Sequence, residues 1–327
     1  MPQKDPLKVI YIAGYGRSGT TLLDIALGQQ PGVLAAGELT ALARHVWQER
    51  EYCACRRKAD ECSFWSKVVE AWLDGRQPDA MAKHGRNLAR SEWLFDPRRL
   101  LWRFGVGKTG KAYCEETSAL LHKIADNSRA SVIVDSSKLP GRASALMSIE
   151  DIEVYVIHMV RDGRGVGWSM MKPYQRSVED GIQKELKPKP LWYTAARWFV
   201  VNLGVEMLRA RLSRKRSIRV RYEDFVADPS GTVSAILDLV GQPYVVPDGG
   251  TEVFSPGHQI AGSRHRMQDE ITISKDIGWT SKMPRSMQRL FSVLTAPLLF
   301  RYGYFASESS PGKAGRQADA QVNKEAA

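Results

Sequence analysis

The sequence predicts an α/β fold in which a parallel sheet is flanked by helices on both faces and carries a helical insertion. Residues 9–13 form a short apolar run that is mostly β-branched, and residues 154–160 form an almost continuous one. Such runs are typical of parallel strands that are buried on both faces. A turn and a helical pattern follow each run, which is the alternation expected of this kind of sheet.

Length and composition predict one domain. A chain of 327 residues could hold two domains, but α/β enzymes of this size are often one domain with insertions. We expect a single domain over residues 1–305, with a helical insertion at about 53–129. The apolar content of 43% is ordinary for a globular protein. Residues 306–327 are rich in Ser, Gly, Ala and Lys, which predicts a disordered tail.

The net charge of +11 favours acidic partners: nucleic acid, a membrane surface, or a polyanionic cofactor or substrate. A generally basic, solvated surface is the alternative. No apolar run approaches the ~20 residues of a membrane span, and residues 1–8 lead straight into the first strand without a signal peptide. Four cysteines do not suggest a disulfide scaffold. We therefore expect a cytoplasmic location.

A glycine-rich turn joins the first strand to the first helix. Gly14, Gly16 and Gly19 break the apolar run, and residues 19–27 continue with helical spacing. Glycines allow successive N–H groups to converge, and the helix dipole adds partial positive charge at the same point. This arrangement predicts an anion site in a P-loop-like sheet, although glycine spacing alone fits a simple packing turn about as well.

The loop lacks the lysine of a nucleoside triphosphate site. In a Walker A loop, G-x-x-x-x-G-K-[ST], the lysine neutralises the β/γ-phosphates. Gly14 and Gly19 have that spacing, but Thr20 stands where the lysine belongs. Arg17 is the only cation of the loop. The local charge therefore suits a smaller anion than a magnesium-bound triphosphate.

The motif Gly-x-Gly-Arg-Ser-Gly-Thr-Thr-Leu-Leu over residues 14–23 resembles the 5′-phosphosulfate loop of sulfotransferases that use 3′-phosphoadenosine 5′-phosphosulfate (PAPS). The resemblance extends over most of residues 8–300. It implies that the phosphosulfate is held by the loop and the first helical turn, through Gly16, Arg17, Ser18, Gly19, Thr20 and Thr21.

Two further residues gain a role from this resemblance. Glu38 ends the predicted strand 33–38, where a carboxylate is more often a solvated turn residue. In tyrosylprotein sulfotransferases and their bacterial relatives, an acidic residue in a similar Gly-Glu segment is the catalytic base. Lys138 follows the predicted strand 131–135 and resembles the family lysine that contacts the bridging oxygen of the cofactor.

Residues 53–65 hold Cys53, Cys55 and Cys62. Their spacing lacks the paired C-x₂-C units and the nearby histidine of a structural zinc site, so we expect no metal and cysteines that are packed or incidentally paired. Bacterial sulfotransferase-like sequences often carry a similar insertion. Residues 64–129 have helical patterns punctuated by tryptophans, which predicts a helical subdomain whose aromatic residues form core.

The strand at 154–160 ends in Arg161-Asp162, and Ser169 follows about two helical turns later. This resembles the family's 3′-phosphate motif, which implies that Arg161 and Ser169 bind that phosphate. A local ion pair between Arg161 and Asp162 is the structural alternative. His158, inside the apolar run, is expected to be a core histidine.

Two later segments complete the predicted cofactor site. Tyr-Glu-Asp-Phe at residues 222–225 resembles a family segment whose tyrosine, here Tyr222, lies near the adenine. The segment Gly-Ser-Arg-His-Arg at 262–266 resembles the family's loop over the 3′-phosphate, but departs from the commoner Gly-Asn-Pro-x-Arg. Arg266 is therefore the better-supported contact and Arg264 the weaker one.

The resemblance implies a PAPS-dependent sulfotransferase in which Glu38 accepts the proton of the acceptor hydroxyl and Arg17 and Lys138 stabilise the departing phosphate. No metal is expected. A P-loop kinase-like phosphotransferase and a non-catalytic polyanion-binding protein are the alternatives.

The acceptor could be a small molecule, a glycan, a lipid-linked alcohol or a peptide. Nucleic acid is not expected as a partner, and a homodimer is possible. The basic, proline-rich residues 172–190 are predicted to form a mobile loop that could close over an acidic acceptor.

Overall fold

The computed structural model describes residues 5–92, 108–177, 185, 187–246, 253–268 and 270–305. Its centre is a parallel sheet of five strands in the order β2-β3-β1-β4-β5. The strands are β1 (Leu7–Ala13), β2 (Val33–Ala35), β3 (Val132–Lys138), β4 (Ile152–Val160) and β5 (Ser217–Arg221). The predicted α/β fold with a parallel sheet is confirmed.

Helices connect the strands and cover both faces of the sheet. They are α1 (Thr20–Leu27), α2 (Trp65–Leu73), α3 (Ala80–Ser91), α4 (Lys108–Ser128), α5 (Pro140–Leu146), α6 (Gly163–Met170), α7 (Leu191–Arg209), α8 (Tyr222–Ala227), α9 (Pro229–Val240), α10 (Trp279–Lys282) and α11 (Arg285–Arg301). Leu39–Ala41 and Arg264–Met267 form 3₁₀ turns, and Leu42–Gln48 forms a π-helical turn. Two short antiparallel strands, β6 (Val253–Phe254) and β7 (Ile271–Thr272), lie outside the main sheet.

Alternation along β1 places its side chains in two separate cores. Val9 and Tyr11 pack with the insertion helices on one face, and Ile10 and Ile12 pack with α1 and α9 on the other. All four side chains are fully buried. A third apolar cluster, which includes Trp198, joins α6, α7 and α11. A strand buried on both sides accounts for the continuous apolar run in the sequence.

Among the described residues, the insertion contains the helices α2, α3 and α4, as expected, whereas residues 53–64 form turns. Trp65 and Trp72 are buried in the core next to the sheet, which confirms their predicted packing role. Within the predicted helical region 64–129, α3 ends at Ser91, and residues 93–107 lie outside the described residues. Trp93, Trp102, the tail 306–327 and much of the predicted loop 172–190 also fall there. The domain limits stay a prediction.

Two smaller expectations can be compared directly with the structure. His158 is a satisfied core histidine, since its ring nitrogens lie 3.1 Å from Glu206 Oε1 and 3.0 Å from Asn202 Oδ1. Across the described part of the chain, every helix is too short or too polar to span a bilayer.

The register of the sheet brings three predicted site segments to one edge. Ala13 at the end of β1 is level with Lys138 at the end of β3 and with His158 near the end of β4. The carboxyl ends of all five strands therefore meet at the same edge, where ligands of parallel α/β sheets bind.

Candidate active site

The loop from Gly14 to Gly19 curls around the start of α1. Gly14 has φ +146°, and a Cβ there would lie 2.2 Å from the carbonyl oxygen of Met159, so only glycine fits against β4. Gly19 precedes the helix with φ +89°, and Arg17 also has a positive φ of 66°. These conformations turn the backbone so that the loop meets the open N–H groups of the first helical turn.

The buried hydroxyl of Ser18 is the clearest indication that this loop binds a ligand. Its side chain is fully buried, and its hydroxyl has no hydrogen-bond partner among the described residues. Buried hydroxyls are normally paired because an unpaired one costs about 1–3 kcal/mol. An anion seated in the loop would supply the partner.

Glu38 and Lys138 form an ion pair at the ends of neighbouring strands β2 and β3. Both side chains are largely buried, at 22% and 18% exposed. Lys138 has φ +74°, a left-handed conformation that a residue with a Cβ adopts at a cost of roughly 1–2 kcal/mol. Such strain persists where the surrounding structure demands it, and it is common in functional sites.

The segment that carries Arg264 and Arg266 lies directly against Glu38. The N–H of Glu38 donates to the carbonyl of Ile260 at 3.0 Å, and the N–H of Ile260 donates to the carbonyl of Ala36 at 3.2 Å. Gly37, between them, has φ +84°, and a Cβ there would lie 2.1 Å from the Ile260 oxygen. Close backbone pairing therefore fixes the catalytic candidate and the predicted cofactor loop to each other.

Two arginines face the same aromatic ring near the glycine loop. The guanidinium carbons of Arg17 and Arg264 lie 5.2 Å and 5.6 Å from the ring centre of Tyr174. Burial lowers the pKa of Arg17, and the charge of Arg264 lowers it further. A bound anion would relieve this repulsion. Tyr174 belongs to the predicted basic loop but was not singled out by the sequence patterns.

Arg161 ends β4 and reaches the glycine loop. Its guanidinium donates to the Arg17 carbonyl at 3.1 Å and to the Asp276 carboxylate at 3.0 Å. It also lies 4.4 Å from the ring centre of Tyr222, so the structure brings these two predicted residues together. Ser169 lies half-buried on α6.

The alternative of a local pair between Arg161 and Asp162 is not what the structure contains. Asp162 instead pairs with Arg164 at 2.6 Å and accepts from the Arg164 N–H at 2.9 Å, which caps α6. The Arg161 side chain therefore lies at the strand edge, where it contacts the Arg17 carbonyl and the Asp276 carboxylate.

Arg266 is a buried cation with unused hydrogen-bonding capacity. It is 2% exposed, and its Nε has no partner among the described residues. Burial lowers its pKa, and the Glu38 charge partly offsets that effect. Burying a cation without a full set of partners is costly, which is consistent with an anionic ligand nearby.

The comparison with known proteins gives the family of this chain. The sequence model of the sulfotransferase family matches residues 9–246, which is more than half of the chain. The chain belongs to the sulfotransferase family. The family match spans the glycine loop, the Glu38–Lys138 pair, Arg161 and Tyr222, whereas Arg264 and Arg266 lie beyond it.

Several solved structures are similar to this chain. The sulfotransferase domain of the Synechococcus PCC 7002 olefin synthase is 19% identical, with 91% of this chain and 96% of that chain covered and a TM-score of 0.48. A sulfotransferase from Alicyclobacillus acidocaldarius is 15% identical over 92% of this chain and 96% of that chain, with a TM-score of 0.44. Retinol dehydratase in complex with androsterone and the inactive cofactor PAP is 14% identical over 96% of this chain and 84% of that chain, with a TM-score of 0.39.

Proposed function

We propose that this protein transfers a sulfuryl group from PAPS to an acceptor hydroxyl by in-line displacement. The observation that carries the proposal is the Glu38–Lys138 ion pair at the strand edge that also holds the glycine loop. A carboxylate for the incoming hydroxyl and a cation for the departing phosphate are the two groups that this reaction needs side by side.

The phosphosulfate binds in the loop and the first turn of α1, where Gly16, Arg17, Ser18, Gly19, Thr20 and Thr21 surround it. The unpartnered Ser18 hydroxyl and the repelling cations Arg17 and Arg264 support this assignment, because each would be satisfied by an anion. Backbone N–H groups at the start of α1 add partial positive charge.

In the transfer step, the acceptor oxygen forms a bond to sulfur opposite the bridging oxygen of the cofactor. The bond between sulfur and that bridging oxygen breaks, and its electron pair stays on the phosphate of the product, 3′-phosphoadenosine 5′-phosphate (PAP). Glu38 accepts the proton of the acceptor hydroxyl. Arg17 and Lys138 stabilise the negative charge on the departing phosphate, so positioning and electrostatics supply most of the catalysis, as in phosphoryl transfer.

The 3′-phosphate of the cofactor is assigned to Arg161, Ser169 and Arg266, with Arg264 as a further cation and Tyr222 near the adenine. Arg161 suits this role because arginine binds phosphate through two parallel hydrogen bonds. It now shares its guanidinium with Asp276 at 3.0 Å, and the phosphate would compete for that contact. Arg266 is buried and its Nε has no partner among the described residues, so an anion would also satisfy this cation.

The acceptor is assigned only by its reacting group, a hydroxyl. That hydroxyl belongs to a small molecule, a glycan, a lipid-linked alcohol or a peptide. The cytoplasmic location expected from the sequence stays a prediction. The proposed homodimer and the absence of a nucleic-acid partner stay predictions.

Titration calorimetry with PAP tests the cofactor assignment directly. Wild type should bind PAP, and Arg161→Ala should weaken binding by about tenfold or more because a charge-assisted contact to phosphate is lost. Arg86→Ala is the matched control, since Arg86 is exposed on α3 and far along the chain from every proposed contact. If folded wild type shows no binding of PAP but binds magnesium ATP, the proposal is overturned in favour of a kinase-like activity.

A further inference from the structure

Three cysteines at the start of the insertion and one distant histidine converge beside the loop that follows β6. Cys53, Cys55, Cys62 and His258 each present one ligand atom, and these four atoms all lie within 4.8 Å of one another. Cys62 Sγ lies 3.3 Å and Cys53 Sγ 3.8 Å from His258 Nδ1. Cys55 Sγ lies 3.6 Å from Cys62 Sγ.

The separations of 3.3, 3.6 and 3.8 Å are close to those of a tetrahedral metal site. With Zn–S near 2.3 Å and Zn–N near 2.0 Å, tetrahedral geometry separates neighbouring ligand atoms by roughly 3.5–3.8 Å. A disulfide would bring two sulfurs to about 2.05 Å, and each of the three cysteines is outside any disulfide. Three thiolates and an imidazole form a soft, four-ligand set that selects zinc and leaves no open coordination position.

We propose that Cys53, Cys55, Cys62 and His258 bind one structural zinc ion. This goes against the sequence-based expectation of no metal, which rested on the lack of paired C-x₂-C units and of a histidine near the cysteines in the sequence. On binding, each cysteine thiol releases its proton to solvent, and no change of oxidation state is involved.

The backbone around the ligands is fixed by contacts that do not depend on a metal. The Cys53 N–H donates to the Arg57 carbonyl at 2.9 Å, and the Arg56 N–H donates to the Cys53 carbonyl at 3.0 Å, which folds the cysteine segment back on itself. The His258 ring stacks on Phe64 with ring centres 5.5 Å apart. The His258 carbonyl accepts a hydrogen bond of 2.6 Å from Trp65 Nε1. Such supporting contacts orient the ligands of metal sites.

The charge of the surroundings also suits the ion. Three thiolates leave a net negative charge on a divalent metal, and Arg266 is a buried cation on the same segment as His258.

The position of the site gives the ion a structural role next to the active site. His258 stands two residues before Ile260, whose carbonyl accepts from the Glu38 N–H, and Ala54 N–H donates to the Gln259 carbonyl at 2.9 Å. Zinc would therefore tie the insertion to the segment that bears Arg264 and Arg266. This last consequence rests on the proposed function, whereas metal binding itself does not.

Metal analysis of the full-length chain tests the proposal. Protein purified from zinc-containing medium without chelator should hold about one zinc per chain by elemental mass spectrometry. Replacement by Co²⁺ should give the sulfur-to-cobalt charge-transfer band and the intense visible bands of a tetrahedral thiolate site. Cys62→Ser and His258→Gln should lose the metal. Cys114→Ser and His122→Gln, at a cysteine and a histidine outside the cluster, should keep it.

A conservative variant keeps the test valid if ligand-loss variants fail to fold. Cys55→His retains four ligands, so it should keep zinc while the sulfur-to-cobalt band falls by about one third. Folded, reduced wild type that takes up neither zinc nor cobalt would overturn the proposal, and so would equal metal loss in Cys62→Ser and Cys114→Ser. Zinc content is measured without PAP, so failure of the metal site and failure of the sulfotransferase proposal are distinguishable.

Discussion

Glu38 and Lys138 form an ion pair although 100 residues separate them in the chain. Neighbouring parallel strands β2 and β3 end at the same edge of the sheet, and each residue follows or completes one of these strands. The pairing register thus creates the contact. The same register brings the glycine loop after β1 to this edge, so the proposed base, the proposed cation and the proposed anion site are adjacent.

Glu38→Gln should strongly lower turnover while leaving cofactor binding nearly intact. The amide keeps the size of the side chain but cannot accept the proton of the acceptor, which should cost about 10²–10⁴-fold in kcat. The affinity for PAP, measured by calorimetry, should change by less than about threefold. PAP carries neither the sulfuryl group nor the acceptor hydroxyl, so its binding does not require the proposed base. Glu70→Gln, at an exposed glutamate of α2, is the control. Equal losses in both variants, or full activity in Glu38→Gln, would exclude Glu38 as the base.

The strained backbone of Lys138 gives a prediction that separates stability from catalysis. Lys138→Gly and Lys138→Ala should both lose about 10²-fold in kcat, since neither supplies a cation for the leaving group. The glycine variant should nevertheless be more stable than the alanine variant by about 1 kcal/mol, because φ +74° is strained only when a Cβ is present. Urea unfolding of the two variants measures the difference.

Arg129 provides the control for this comparison. It is exposed and also has a positive φ, of 57°. Arg129→Gly should exceed Arg129→Ala in stability by a similar amount, with kcat unchanged in both. If the Lys138 pair showed no glycine advantage while the Arg129 pair did, the strain at Lys138 would be disproved.

Local patterns predict the parts of the site that follow strands. Strand, glycine loop and helix are contiguous in the sequence, and Lys138 and Arg161 stand at the ends of apolar runs. The sequence therefore suffices to place them at one edge of a parallel sheet. The roles proposed for Lys138 and Arg161 come from the family resemblance.

The parts of the site that could not be predicted from the sequence depend on contacts between segments that are far apart in the chain. His258 joins cysteines about 200 residues earlier because Ile260 pairs with Gly37 and Gln259 with Ala54. No periodicity in the sequence encodes those pairings. Asp276, which holds Arg161, and Tyr174, which lies near two arginines, likewise depend on how distant segments cross the strand edge.

Asp24 gives a prediction about the pH dependence of stability. It is fully buried on α1, where Ser136 Oγ donates to its carboxyl oxygen at 2.7 Å. Burial raises the pKa of Asp24 to about 8 from 3.8. The native state therefore keeps a proton that the unfolded chain loses, so this residue's contribution is fully present below about pH 4 and declines until about pH 8.

Asp24→Asn should remove that decline. An amide resembles the protonated acid in shape and cannot ionise, so the variant should gain about 1.4 kcal/mol on wild type for each pH unit in this window. Urea unfolding at about pH 5 and about pH 7.5 measures how the free energy of unfolding changes with pH in wild type and in Asp24→Asn. Asp238→Asn, at an exposed aspartate of α9, should leave the slope of wild type unchanged. A gain that is the same at both pH values would show that Asp24 is ionised in the native protein.

Gly37→Ala tests whether the segment 258–266 depends on its backbone contact with the strand edge. The new Cβ would lie 2.1 Å from the Ile260 carbonyl oxygen, and a backbone atom cannot move aside without moving that segment. Gly75→Ala is matched because Gly75 has a similar φ, +69°, and no described atom lies within 4 Å of the position that the new methyl group would take. The control should lose about 1 kcal/mol of stability from φ strain alone.

Gly37→Ala should lose more, by roughly 2 kcal/mol beyond the control, since overpacking adds to the strain. It should also weaken PAP binding and lower the zinc content, because His258, Arg264 and Arg266 all stand on the displaced segment. Unfolding, calorimetry and elemental analysis of the same preparation measure the three effects. A variant as stable as Gly75→Ala with normal PAP affinity would mean that the segment is positioned from elsewhere, and that the contact between Gly37 and Ile260 is dispensable.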